Sequence, residues 1–136
     1  MRSLLIATFL ALSCSANASE LIFTDQTKAA GLDFVHVGGG KEKGFILEGH
    51  GSGAAFFDGD NDGDLDLYFV NGSTFADYGK DAGPSNVYYR NEGGRFVDGT
   101  IGAGLEDRGW GAGVAVADYD GDGYRDVYVT NYGRNS

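Results

Sequence analysis

The sequence predicts an all-β fold assembled from a repeated strand–loop–strand unit. Three observations point there: an unusual glycine content, short β-rich runs bounded by turn residues, and a pattern that recurs at a constant offset. Glycine supplies 24 of the 136 residues and proline one. That share is about 18%, against roughly 7% in ordinary proteins, and no G-X-Y period accompanies it. Aromatic residues make up 13%, more than a disordered chain carries. Many tight turns between short aromatic strands account for both.

The N-terminal element is a targeting segment. Arg2 supplies a positive start, Leu4 to Leu12 an apolar stretch, and Ala16-Asn17-Ala18 a small-residue cleavage site before Ser19, the three-part pattern of a signal peptide over residues 1–18. The apolar stretch is too short to cross a bilayer, so no membrane span is expected. A second reading takes Ala11-Leu12-Ser13-Cys14 as a lipoprotein signal with Cys14 acylated and anchoring the protein, although Ala is unusual at the first of those places. The expected location is secreted, extracellular or periplasmic. Cleavage after Ala18 removes the only cysteine. The remaining region, 19–136, then has no disulfide, and a bound metal is the obvious substitute staple.

The repeat comes next. Gly51-Ser-Gly-Ala-Ala-Phe-Phe-Asp58 lies over Gly111-Ala-Gly-Val-Ala-Val-Ala-Asp118. Asp58-Gly-Asp-Asn-Asp-Gly-Asp-Leu-Asp66 lies over Asp118-Tyr-Asp-Gly-Asp-Gly-Tyr-Arg-Asp126, and Leu67-Tyr-Phe-Val-Asn71 over Val127-Tyr-Val-Thr-Asn131, all at an offset of 60. A second element recurs at an offset of 73: Phe23-Thr-Asp25-Gln-Thr27 with Ala30-Gly31-Leu32, and Phe96-Val-Asp98-Gly-Thr100 with Ala103-Gly104-Leu105. The first copy carries extra residues around Val35 to Glu48. It continues past Asn71, through a loop near Pro84, to Val87-Tyr-Tyr-Arg-Asn91, for which the second copy has no counterpart before Ser136. The chain therefore holds about one and a half units and reads as part of a longer protein.

Strands are expected on both sides of each acidic loop, at Ala54–Phe57, Leu67–Val70, Val114–Ala117 and Val127–Thr130, where β-rich residues are bounded by Gly, Asn and Asp. No helix is expected beyond the signal segment, apart from one helical turn at Thr27–Ala30 stopped by Gly31.

Chemistry concentrates in the loops. The net charge is −10, and nine of the 20 acidic residues fall within Asp58–Asp66 and Asp118–Asp126. Each window reads D-x-D-x-D-G-x-x-D. Calcium is a hard cation that takes roughly six to eight oxygen ligands at about 2.3–2.6 Å. Carboxylates at alternate positions of a tight loop can converge on one such ion. The expected side-chain ligands are Asp58, Asp60, Asp62 and Asp66 in the first loop, with the carbonyl of Asp64. In the second they are Asp118, Asp120, Asp122 and Asp126, with the carbonyl of Tyr124. Gly63 and Gly123 occupy the sixth position, where the chain turns through geometry suited to a residue without Cβ. An EF-hand is excluded: its twelfth position needs a bidentate Glu between helices, and Phe69 and Val129 stand there. A metal-free acidic turn is disfavoured electrostatically. Two like charges 4 Å apart repel by about 1 kcal/mol even in water, and four carboxylates together multiply that term.

Other functions have little support. No Lys/Arg cluster exists for nucleic acid. His36 and His50 are the only histidines, no Ser or Cys sits in a nucleophile motif, and the expectation is a protein that is not an enzyme. His50 is expected to pack or hydrogen-bond. Gly38-Gly39-Gly40 is expected to be a flexible loop, since no Gly-Lys-Ser/Thr follows it. Tyr88, Tyr89, Arg90 and Trp110 are candidates for a sugar- or protein-binding face, though strand aromatics are more often core.

The glycine-rich strand with its D-x-D-x-D-G-x-x-D hairpin resembles the FG-GAP repeat of integrin α-subunit propellers and its bacterial relatives, the VCBS-type repeats. The order of Phe23-x-Asp-x-Thr, Ala30-Gly-Leu, Gly51-x-Gly, the acidic loops and Tyr88-Tyr-Arg-Asn91 is similar to the N-terminal part of ASPIC/UnbV-type, cartilage acidic protein-like proteins. The FG-GAP Pro is missing, and His50 or Trp110 stands where an aromatic usually precedes Gly. The resemblance implies blades of a β-propeller, here incomplete, of about seven blades in the parent, with calcium in the hairpins at two sites. It implies a recognition or adhesion module with an extracellular protein or carbohydrate ligand. The alternative is a non-catalytic piece of a secreted enzyme whose active site lies elsewhere. Since single units cannot bury their own faces, the isolated piece is expected to be poorly folded or self-associating.

Overall fold

The structure, a computed structural model, describes residues 21–81 and 83–136. The expected signal peptide and Cys14 lie outside the described residues. Among these, six strands form two antiparallel sheets. β1 (Ala54–Phe57), β2 (Asp66–Phe69), β3 (Val87–Asn91) and β4 (Phe96–Asp98) make a four-stranded sheet in chain order, and β5 (Trp110–Ala117) pairs with β6 (Asp126–Tyr132) in a second sheet. The all-β expectation holds for this region.

The two acidic hairpins share one register. Ala54 pairs with Phe69 and Phe57 with Asp66; sixty residues on, Val114 pairs with Val129 and Ala117 with Asp126. The second hairpin is longer because β5 continues back to Trp110, with a bulge between Gly111 and Gly113. That bulge lets the strand bend where it meets the first copy. An added Cβ at Gly111 would overlap Val70 Cγ1 and lie 2.7 Å from the Asn71 carbonyl oxygen, so the backbones approach too closely for any side chain.

The second repeated element also recurs in three dimensions. The Thr27 N–H donates to Asp25 Oδ1 and the Thr100 N–H to Asp98 Oδ1, each at 2.9 Å. Ala30 and Ala103 then close the same turn onto the Gln26 and Gly99 carbonyls. The first copy remains a hydrogen-bonded turn, as expected, while the second forms a four-residue helix, α1 (Thr100–Ala103). A single turn differs from a short helix by one hydrogen bond or so, a margin that composition does not resolve. A second unforeseen element is a 3₁₀ turn at Ile46–Gly49.

The core lies between the sheets. Strand alternation gives each hairpin two faces. Ala55, Phe57, Tyr68 and Val70 of the first hairpin, with Tyr88 of β3, pack against Val114, Val116, Val127 and Val129 of the second. Burying each large apolar side chain contributes roughly 1.5–3 kcal/mol. The opposite face of the first hairpin is covered by the preceding segment, where Phe34 stacks on Phe69 at a centroid distance of 4.6 Å and the Tyr89 hydroxyl donates to Asp33 Oδ1 at 2.6 Å.

Gly38–Gly40 is tied down rather than flexible. The Gly39 N–H donates to the Ser73 carbonyl at 2.8 Å, and the buried Glu48 carboxylate accepts from the N–H groups of Gly40, Gly44 and Phe45 at 2.9–3.1 Å. These bonds, the one from Gly40 foremost, hold the Glu48 carboxyl below its usual range. His50 is exposed, in contrast to the packing role expected of it.

Candidate metal centres

Each acidic loop is wound by its own carboxylates. Asp58 accepts from the N–H groups of Asp62 and Gly63 at 3.1 and 3.0 Å, and Asp62 from Asp64 at 2.9 Å. Asp118 accepts from Gly121 and Gly123 at 2.8 and 3.1 Å, and Asp122 from Tyr124 at 2.8 Å. Asp side chains that capture N–H groups two to five residues ahead replace the ladder bonds a strand would have made. The sixth-position glycines adopt φ values of +95° and +92°, as the loop pattern predicts. The fourth position is left-handed too, with Asn61 at +60° and Gly121 at +78°. Asn and Gly are the residues that tolerate this region, so the signal was present in the sequence, although only the sixth position was singled out.

This winding gathers carboxylates. In the first loop one oxygen each from Asp58, Asp60 and Asp62 lie within 4.8 Å of one another, and in the second Asp118, Asp120 and Asp126 do the same. Three anionic oxygens at that spacing, with no nitrogen or sulfur donor among them, form the ligand chemistry of a hard divalent cation. The crowding acts on protonation. Asp60 is held above the usual carboxylate range, first by desolvation and then by the charges of Asp62, Asp66 and Asp58. A cation would reverse that shift by replacing repulsion with attraction.

The other expected ligands fall differently in the two loops. Asp66 is fully buried. Its carboxylate accepts from the Gly59 N–H at 3.0 Å, from the Asn91 N–H at 2.8 Å and from the Tyr88 hydroxyl. Asp126 keeps only the first of these, as an acceptor from the Tyr119 N–H at 2.8 Å, and is exposed. Asp122 lies outside the second convergence. Asp64 and Tyr124, whose carbonyls were the expected ligands, sit on the exposed rim of their loops. The loops also touch each other: the Asn61 side-chain amide donates to the Gly123 carbonyl at 3.3 Å.

The candidate binding aromatics separate. Tyr88, Tyr89 and Trp110 are buried and belong to the packing, while Arg90 is exposed and pairs with Glu92. Beside Trp110 the structure gathers Phe75 and Tyr78, with Phe45 and Tyr132 next to them. This group was not foreseen, because Phe45, Phe75 and Tyr78 come from loops and meet Trp110 of β5 and Tyr132 of β6 with no common spacing.

Fold and loops together define a protein of tandem β-hairpins with acidic, oxygen-rich turns. The family model for the FG-GAP-like repeat matches residues 58–129, from the first carboxylate of the first loop to the strand after the second. That is more than half of the chain, which belongs to the FG-GAP-like repeat family. No curated protein and no solved structure matches it. Among the described residues no helix is long and apolar enough to cross a membrane.

Proposed function

We propose that the chain is a calcium-binding, exported repeat module in which the metal is structural and staples each hairpin loop. The observation that carries this reading is the convergence of three carboxylates in each loop, two of them, Asp58 with Asp118 and Asp60 with Asp120, at positions related by the repeat. Asp58, Asp60, Asp62 and Asp118, Asp120, Asp126 supply side-chain oxygens. Asp66 and Asp122 would join them with a change of side-chain geometry, and Asp64 and Tyr124 would add carbonyls. Calcium is preferred to magnesium because flexible loops with many carboxylates suit its larger, less exacting shell. In a longer parent of ASPIC/UnbV type the hairpins would be propeller blades, and the module would serve adhesion or recognition of a protein or carbohydrate.

Titration calorimetry with calcium tests the assignment. The chain is expected to take up calcium at two sites, and Asp60→Ala and Asp120→Ala are each expected to abolish one. Because an ion that binds only the folded form stabilises it, by about 2.7 kcal/mol at a hundredfold excess over Kd, chelator is expected to lower Tm. Unchanged calcium uptake in both variants would refute the ligand assignment.

A further inference from the structure

The two acidic loops meet through one side chain. The Asn61 amide donates to the Gly123 carbonyl at 3.3 Å, reaching from the fourth position of the first loop to the sixth position of the second. Among the described residues Asn61 is the one non-glycine residue with a positive φ, at +60°. The equivalent position of the second loop is Gly121, at +78°. Glycine meets that backbone demand without strain, and Asn tolerates it because its short polar side chain can bond locally. Here the amide bonds instead to the other loop, so the residue does more than make a turn.

Both ends of the contact adjoin expected ligands. Asn61 stands between Asp60 and Asp62, which converge with Asp58. Across the contact, the Gly123 carbonyl accepts from Asn61, and the N–H of the same peptide, that of Tyr124, donates to Asp122 Oδ1 at 2.8 Å. One peptide of the second loop therefore has its carbonyl fixed by the first loop and its N–H by its own. The Gly123 N–H donates in turn to Asp118 Oδ2 at 3.1 Å, on one of the three carboxylates that converge there. A continuous path of bonds thus runs from the ligands of one loop to those of the other.

We propose that Asn61 couples the two metal sites, so that an ion held by the first loop raises the affinity of the second, and the reverse. Such coupling rests on the metal reading above and adds to it the regulation of one site by the other. Ordering Asp60 and Asp62 around a cation fixes the backbone between them, and with it the Asn61 amide. The second loop then has one peptide already placed. Less conformational entropy remains to be lost when its own carboxylates close on an ion. Coulomb repulsion between two bound ions acts in the opposite sense. Residues 60–65 and 119–126 are exposed, so that repulsion is screened over about 8 Å at physiological ionic strength, whereas a direct hydrogen bond is not. The net coupling is expected to be about two- to tenfold, the worth of one hydrogen bond, and equal in both directions by linkage.

Calcium titration of the chain at physiological ionic strength, followed by two-dimensional NMR, tests it. The amide signals of Gly63 and Gly123 each report on their own loop. Asp60→Ala, which disables the first site, is expected to raise the calcium midpoint read at Gly123 by about two- to tenfold. In a chain that also carries Asn61→Gly, the same Asp60→Ala change is expected to lose that effect. Glycine keeps the left-handed turn, as Gly121 does in the other loop, and removes the amide. Comparing the two backgrounds cancels the direct effect of deleting one negative charge. No calcium-dependent shift at either glycine would remove the metal reading and the coupling together. Shifts at both glycines, with a Gly123 midpoint that Asp60→Ala does not raise or raises equally in the two backgrounds, would overturn the coupling and leave the metal sites standing.

Discussion

The two acidic hairpins have the same loop pattern, the same register and nearly the same loop hydrogen bonds, yet their ninth-position carboxylates live in different surroundings. Asp66 is fully buried and accepts three hydrogen bonds, two of them from β3. Asp126 is exposed and accepts one. The difference arises outside the hairpins. The first lies between β3 and the second hairpin, whereas among the described residues the edge of β6 is bordered by Asn135, whose side chain accepts from the Asn131 N–H at 2.9 Å, and by Ser136, whose backbone exchanges hydrogen bonds with Val129 at 2.7 and 3.1 Å. That place corresponds to Val87 opposite Phe69 in the first copy. The local sequence specifies a loop, and the neighbouring strand decides whether its last carboxylate anchors the sheet or faces solvent.

If so, the same substitution should have unequal consequences. Asp66→Ala strands the Asn91 and Gly59 N–H groups and the Tyr88 hydroxyl in a buried site. Each buried donor left unsatisfied costs about 1–3 kcal/mol, so losing three partners at once removes a large part of the ~5–15 kcal/mol total of an ordinary domain. Asp126→Ala is expected to cost under about 1 kcal/mol in the absence of calcium. Urea denaturation with chelator present reads both. Equal losses would show that β3 does not make the difference.

A second, smaller asymmetry concerns two equivalent asparagines, Asn71 just after β2 and Asn131 within β6. The Asn71 side chain accepts from the Val37 and Gly72 N–H groups at 2.8 and 3.1 Å and donates to the Ser85 carbonyl at 3.1 Å, which ties three segments together. Asn131 donates to Asp107 Oδ2 at 2.8 Å, but its buried Oδ1 has no partner among the described residues. Asn71→Ala is therefore expected to cost about 2–3 kcal/mol and Asn131→Ala about 0–1 kcal/mol, since the latter also removes an unsatisfied acceptor. Urea midpoints at unchanged m-value measure the pair.

These contrasts mark how far the sequence could be read. Both hairpins, their loops and the gathering of Asp58, Asp60 and Asp62 were legible, because winding by Asp and Gly is a local property and the offset of 60 gave an independent check. The inward role of Asp66 was not. It depends on Tyr88 and Asn91, more than twenty residues away, and on a face that only the second hairpin covers. The capture of the Gly38–Gly40 loop by Glu48 escaped notice because Glu48 lies in the residues the first copy carries in excess and has no counterpart against which to compare it. The helix α1 was missed for a different reason: four residues are too few for a period to show.

The smallest expected effect separates the hairpins by alkaline titration. Tyr68, Tyr88 and Tyr89 of the first copy are buried, whereas Tyr78, Tyr119, Tyr124, Tyr128 and Tyr132 are exposed. Burial, with the nearby charge of Asp107, pushes Tyr68 up to about 12 despite the opposing hydrogen bond from Asn86. Burial and the hydrogen bond to Asp33 push Tyr89 up to about 12, and burial and Asp66 raise Tyr88 further still. In the unfolded chain a tyrosine titrates near 10. A group whose pKa is raised by folding stabilises the native state fully below its unfolded pKa, and that contribution is lost as pH rises through the folded value. Unfolding is therefore expected to set in between about pH 10 and 12, accompanied by tyrosinate absorbance. Tyr89→Phe removes one such group and should move the alkaline midpoint upward relative to that variant's own neutral stability, with Tyr128→Phe, at an exposed position, as control. Equal displacement by both substitutions would mean that alkali does not act through the covered face of the first hairpin.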